Sequence, residues 1–580
     1  MNWKSKSLWL LIGSLTLSGC SDSTSEPKRS DNQPSANREE SPKNSDSDRT
    51  FPRRGPRTVA VATLDASPAD RARVPKLPGD ESEDAQSDII KLNWAMLGGS
   101  GTRNAVNPTT NLKLDFETGQ GDTPGRGILW KSRLGSVTYT SPVISSGCVL
   151  VGTNNGGEYS PKHSGDRGVL LCFDTDQGNL RWQLTRMKLE SGAANDWPEQ
   201  GICSTPAVHE DRVYVVTNRC ELMCLDLDGF HDGENDGPEQ SETDSEVFDA
   251  DIIWSVDMIS DLGVYPHNLA TSSPVVSGDL VLINTSNGIG EDHETVPAPD
   301  APSFLAVNRL TGQIAWSSNI PSKASKAPSP FNRLLHGQWS SPAIGVVKGK
   351  IQAFFTGGDG VLYGFDLQTG ELVWWFDLNP PDIAPRDRSE VVATPVFVDD
   401  SVVIATGQDP EHGDGVGFVY RVDATRTGNI SPLIPDQNGG WQPNPRNGQQ
   451  WRFGGIDVDG SITGEKEGYI FRRTISSAVV SQGLVFIPNT SGFLHCLDFH
   501  TGQQYWQHDC FASIWGSPLL VDRRVLIADE NGTLSVFNAS STLEKTAEFT
   551  FPSAVSGTPA IASGVMFVAD RSTLYAIPVR

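Results

Sequence analysis

The sequence has little of what most catalytic and nucleic-acid-binding folds require. Beyond its first residues no window shows apolar side chains recurring at three- and four-residue spacing, which argues against a helical protein. Cations are outnumbered, with 46 Lys and Arg against 71 Asp and Glu for a net charge of −25. There is no dense basic stripe, so phosphate backbones are repelled and nucleic acid is not an expected partner. Cysteine is scarce: eight in all, with no Cys-x-x-Cys and no adjacent pair, and nothing in their spacing suggests zinc. Gly-x-Ser-x-Gly, His-Glu-x-x-His and P-loop patterns are missing too. What is plentiful is Gly (57), Pro (38) and Trp (15), set among short runs of Val, Ile, Leu and Thr. That texture predicts an all-β protein. A chain of 580 residues exceeds a usual single core unless repeats build that core stepwise.

The N-terminus reads as an export signal. Lys4 and Lys6 precede an apolar run from Leu8 to Leu17, too short to span a bilayer stably. It ends Leu17-Ser18-Gly19-Cys20, which resembles the bacterial lipobox; the resemblance implies lipidation of Cys20 and cleavage before it. Ser21 in place of Asp favours the outer membrane by the sorting rule of some bacterial lipoproteins. Residues 1–20 are therefore expected as signal peptide and 21–88, rich in Ser, Pro and charge, as a disordered tether. The seven remaining cysteines, Cys148, Cys172, Cys203, Cys220, Cys224, Cys496 and Cys510, read as mostly buried apolar residues. Their odd number leaves room for one disulfide among Cys203, Cys220 and Cys224.

From Trp94 to Arg580 the chain repeats itself. Eight small-residue starts, mostly Ser-Pro or Thr-Pro, fall at Ser141, Thr205, Ser273, Ser341, Thr394, Ser477, Ser517 and Thr558. Each opens three strand-like runs, and several close on Asp-x-x-Thr-Gly-x-x-x-Trp. Gly360 to Trp374 is the cleanest copy, and related stretches end at Trp182, Trp316 and Trp506. The fifth repeat has Asp423 and Gly428 but no Trp in place, and the seventh lacks the Gly after Asn538. The last repeat lacks a Trp strand, and Ile128 to Ser132, containing Trp130, looks like the missing piece. The expected fold is an eight-bladed β-propeller over residues 94–580, closed by that N-terminal strand pairing with the last blade.

These repeats resemble the PQQ-type (quinoprotein) repeat and its tryptophan-docking motif, in which Trp130, Trp182, Trp316, Trp374 and Trp506 are structural. No repeat pairs Gly-His with Trp-Asp, so the WD40 repeat is disfavoured. Two function classes follow from the resemblance. One is a non-catalytic, lipid-anchored envelope scaffold of the BamB type, which binds envelope proteins or peptides through a propeller face. The other is a dehydrogenase using PQQ and Ca²⁺, whose family commonly employs Glu and Asn ligands, a catalytic Asp and a vicinal disulfide; this chain has no adjacent Cys pair. A glycan- or polymer-binding propeller is a third reading.

Loop lengths single out a face. The A–B turns are short, whereas insertions sit at the B–C positions 155–168, 286–302 and 408–417 and at the D–A positions 186–201, 317–338 and 379–390. The built-up face is the expected recognition face. His336, Trp339, Arg473 and Trp515 should rim its central funnel, either as ligand contacts or, for the two tryptophans, as a plug. On the other face Asp228, Asp232, Asn235 and Asp236 could supply oxygens to Ca²⁺. Their spacing does not follow the EF-hand order, and a solvated acidic loop is the simpler expectation.

Overall fold

A computed structural model describes residues 92–119, 123, 125–321, 334–381, 383–384, 387–408 and 415–580. The signal peptide, Cys20 and the tether lie outside the described residues. Eight sheets, blades 1 to 8 in chain order, stand around an axis. Their innermost A strands are Val143–Ser145, Ala207–His209, Val275–Ser277, Ala343–Val347, Val396–Val398, Val479–Ser481, Leu519–Val521 and Ala560–Ala562. Their D strands are Leu180–Met187, Ile252–Asp257, Ile314–Ser318, Leu372–Asp377, Gln449–Asp457, Gln504–Asp509, Lys545–Thr550 and, for blade 8, Trp130–Arg133. In blade 8 this N-terminal strand runs antiparallel to Thr573–Pro578, with Trp130 opposite Ala576 and Arg133 opposite Thr573. Among the described residues no helix is long and apolar enough to cross a membrane.

Local chemistry dictates each blade. Several A–B hairpins turn on two left-handed residues, such as Asp399 and Asp400 (φ 49° and 55°) or Asp522 and Arg523 (48° and 56°). That geometry matches strand twist and needs no extra length. At the C–D corner the Asp366 Oδ1 accepts from the Thr369 N–H (3.0 Å) and hydroxyl (3.1 Å), and Asn308 and Asp498 do the same for Thr311 and Thr501. The glycine that follows is left-handed, as at Gly370 (φ 69°). A Cβ there would lie 2.6 Å from the Trp316 ring of the preceding blade, so glycine is required twice over. A register shift sits beside the docking Trp in blades 1 to 6, as between Ala306 and Val307 opposite Trp316, and this bulge helps aim the indole.

Of the seven docking indoles, six reach the following blade. Trp130 donates to Thr175 O, Trp182 to Leu227 O, Trp254 to Arg309 O, Trp316 to Leu367 O, Trp451 to Phe499 O and Trp506 to Ser540 O, all at 2.7–3.0 Å. Trp254 and Trp451 join the five tryptophans named from sequence; insertions between the C and D strands of blades 2 and 5 had separated them from their Asp. Blade 5 thus has its Trp, contrary to the reading of its repeat. Trp374 is the exception, donating to Gln352 of its own blade at 2.8 Å. The seam between blades 7 and 8 has no such Trp. There Phe116 is buried, stacked on Phe549 at 4.3 Å and tilted against Phe551.

The repeat starts serve as more than punctuation. Seven of the eight starts donate their N–H to the hydroxyl of the next: Ser141 to Thr205, Thr205 to Ser273, Ser273 to Ser341, Thr394 to Ser477, Ser477 to Ser517, Ser517 to Thr558 and, across the closure, Thr558 to Ser141 at 3.0 Å.

Two expectations need correction. All seven described cysteines are free, including Cys203, Cys220 and Cys224; Cys220 and Cys224 point into the packed sheet as small apolar residues. The face with short A–B turns is also not flat throughout. Blade 5 carries residues 424–448 between its C and D strands, including the hairpin Leu433–Pro435 with Trp441–Pro443, and blade 2 carries its acidic insertion there.

Candidate functional site

Inner strands of a propeller leave unpaired backbone groups facing the axis. Here the segment from Trp94 to Asn107 satisfies many of them on the A–B side and reaches all eight blades. Trp94 exchanges backbone hydrogen bonds with Ile144, and Ala95 accepts from Val208. Gly101 accepts from Ile344, and Thr102 from Phe397. Asn104 grips both backbone groups of Val480. Val106–Asn107 pairs in parallel with blade 7, and the Asn107 amide donates to Ile561 O. Arg103 reaches inward and donates to the carbonyls of Leu97, Ser273, Pro274 and Pro342 at 2.8–3.0 Å. Burial pulls its guanidinium down to about 9, still above neutrality, so the charge is held entirely by carbonyl dipoles. The axis is therefore occupied at the A–B end by the chain itself, and the B–C and D–A loops stand at the other end.

At that end the four rim residues named from sequence form separate groups. His336 is buried beside Trp339, with ring centroids 4.9 Å apart. The Trp339 indole N–H donates to His267 O (3.1 Å) and Leu269 O (3.2 Å). Trp515 stacks on Tyr139 at 5.6 Å, and burial pushes the Tyr139 hydroxyl up to about 12. Arg473 is buried, packed where a Cβ on Gly415 would meet its guanidinium. Sequence reading missed the residues that complete the His336 group. His267 lies 4.3 Å from His336 and His293 5.2 Å from it, centroid to centroid. Glu390 Oε1 is 4.0 Å from His336 Nδ1. The only signal in the sequence was two lone histidines in insertions of a chain with ten in all.

Next to this group, Asp359 is fully buried and accepts from the Tyr363 hydroxyl (2.5 Å) and the Val361 N–H (3.1 Å). Burial raises its carboxyl to about 7. Asn379 commits both ends of its amide to the Ser389 backbone.

On the opposite face the structure brings Asp232 and Asp236 together with Asp226, not with Asp228 or Asn235. Arg212 pairs with Asp226 and stands 3.8 Å from Asp236, placing a guanidinium where a cation would go. Asp228 is held by Arg181 at 2.6 Å, and Asn235 bonds to Glu242 and Gln240. Burial raises Asp226 and Asp251 to about 6.

Eight four-stranded sheets in a ring, with outer-strand tryptophans docked on the turns of the next blade, define a PQQ-type repeat propeller. The family model described as outer membrane protein assembly factor BamB matches residues 121–429 and 443–579, and the chain belongs to that family. Outer membrane protein assembly factor BamB of Yersinia pestis is 24% identical over 389 residues, 64% of this chain and 80% of the relative. The protein of that name from Moranella endobia is 22% identical over 280 residues, covering 45% and 60%. Among solved structures, quinohemoprotein alcohol dehydrogenase from Comamonas testosteroni superposes with a TM-score of 0.55 at 15% identity, covering 86% of this chain and 82% of that one, a likeness of fold.

The quinoprotein side of the fold raises the question of PQQ and Ca²⁺. A hard cation needs six or more oxygens; near the rim Asp359 and Asn379 commit theirs to Tyr363, Val361 and Ser389, and three imidazoles stand with the Glu390 carboxylate. Both rim tryptophans stack on the chain's own rings.

Proposed function

We propose that the protein is a cell-envelope adaptor of the BamB type, anchored through Cys20 and binding protein partners through its loop-bearing end. One observation carries this reading: the chain closes its own axis at one end and gathers its longest B–C and D–A insertions at the other. The family match supports an adaptor rather than an oxidoreductase, and the relatives' name ties them to outer-membrane protein assembly. Anchoring by Cys20 would place the ring beside membrane-embedded partners, with residues 21–88 as spacer.

Photo-crosslinking residues placed at Glu294 on the loop-bearing end and at Asp211 on the other test this in the native envelope. Adaptor function predicts discrete protein adducts from position 294 and few from 211. Equal yields from both, or dye-linked alcohol oxidation after loading with PQQ and Ca²⁺, would overturn it. Labelled palmitate should enter the wild-type chain and not Cys20→Ala.

A further inference from the structure

We infer that His267, His293 and His336 form a binding site for a divalent transition metal, Zn²⁺ by its chemistry, which staples three loops of the rim. One ring nitrogen from each lies within 4.8 Å of the others. Three nitrogens bound to Zn²⁺ at 2.0–2.1 Å with tetrahedral angles stand roughly 3.4 Å apart, so closure needs side-chain shifts of about 1 Å.

The tautomer of one ligand is set. His267 Nδ1 lies 2.8 Å from Ile289 O. A carbonyl only accepts, so Nδ1 carries the hydrogen and the neutral ring has its lone pair on Nε2. A backbone carbonyl behind a histidine is the usual outer support of a metal ligand, and the Glu390 carboxylate, 4.0 Å from His336 Nδ1, offers a second such support.

The placement is also informative. His267 comes from the blade 2 to blade 3 connection, His293 from the B–C insertion of blade 3, and His336 from the end of the next D–A insertion. His267 and His336 are buried while His293 is exposed, so the third ligand arrives from a surface loop. Packing alone would be served better by apolar side chains, because burying imidazole costs desolvation. The other clusters of possible ligands already hold a cation: Arg212 stands among Asp226 and Asp236, and Lys162 pairs with Asp249 beside His163 and Asp244. Three imidazoles leave one position of a tetrahedral ion for water or a partner's side chain.

Chelator-stripped full-length protein should take up one equivalent of Zn²⁺, and Co²⁺ in its place should show the d–d absorption of a four-coordinate, nitrogen-ligated ion. His293→Ala, at an exposed position, should keep the metal-free melting temperature and weaken affinity at least about 100-fold, and Glu390→Gln should weaken it about 10- to 100-fold. His293→Cys, which keeps a ligand, should restore uptake. Zn²⁺ should slow hydrogen exchange at residues 290–295 in the wild type and not in His293→Ala. His500→Ala, on an exposed C–D corner, should bind as the wild type does. Uptake well below one equivalent, or wild-type affinity in His293→Ala, would overturn the assignment.

Discussion

The two ends of the axis are closed by different chemistry. At the A–B end the segment 94–107 meets the inner strands mainly through backbone hydrogen bonds, and Arg103 ties four carbonyls together. At the other end the contacts are between side chains, many of them ionisable, carried on loops: His267, His336, Glu390 and Asp359 are all buried there. Hydrogen bonds to the backbone of all eight blades fix a frame, whereas side-chain contacts on loops can be exchanged without disturbing the sheets. Permanence belongs to the first end and adaptability to the second.

The largest effect expected is at the fixed end. Arg103→Ala leaves carbonyls from three parts of the chain without their donor and should lower unfolding free energy by at least about 3 kcal/mol, read by denaturant titration. A loss below 1 kcal/mol would place the frame elsewhere. At the adaptable end, Asp359→Asn should act through pH. The folded carboxyl titrates at about 7, above its unfolded value near 3.9, so its contribution is complete below that lower value and disappears as pH rises through 7. The variant should therefore gain on the wild type between pH 4.5 and 8 by on the order of 2 kcal/mol, and parallel melting curves across that range would contradict this. Trp339→Phe removes the donor to two carbonyls and should cost about 1 kcal/mol. Smallest of all, metal-free His293→Ala should stay within about 0.5 kcal/mol of the wild type in thermal melts.

The sequence was legible where structure depends on neighbours in the chain. Asp366, Thr369, Gly370 and Trp374 stand at fixed spacing because one turn and one bulge connect them, and the small-residue starts before each inner strand let eight blades be counted. Trp254 and Trp451 escaped because insertions stretched that spacing while leaving the docking geometry intact. Segment 94–107 has no periodicity of its own, since its partners are the edges of eight separate blades. Of the histidine group only His336 was anticipated, as a rim residue; His267 and His293 approach it through folding of other loops, and no spacing announces such a meeting. Cys20 and the acidic residues around Asp228 were read from composition and pattern alone.

The hydroxyl relay at the repeat starts has a consequence for chain order. The bond from Thr558 to Ser141 is of the same kind as those between consecutive blades, so at the axis the ring does not register where the polypeptide was cut. A circular permutant opened in the exposed corner at Gln503 would keep every relay bond and interrupt only one outer hairpin.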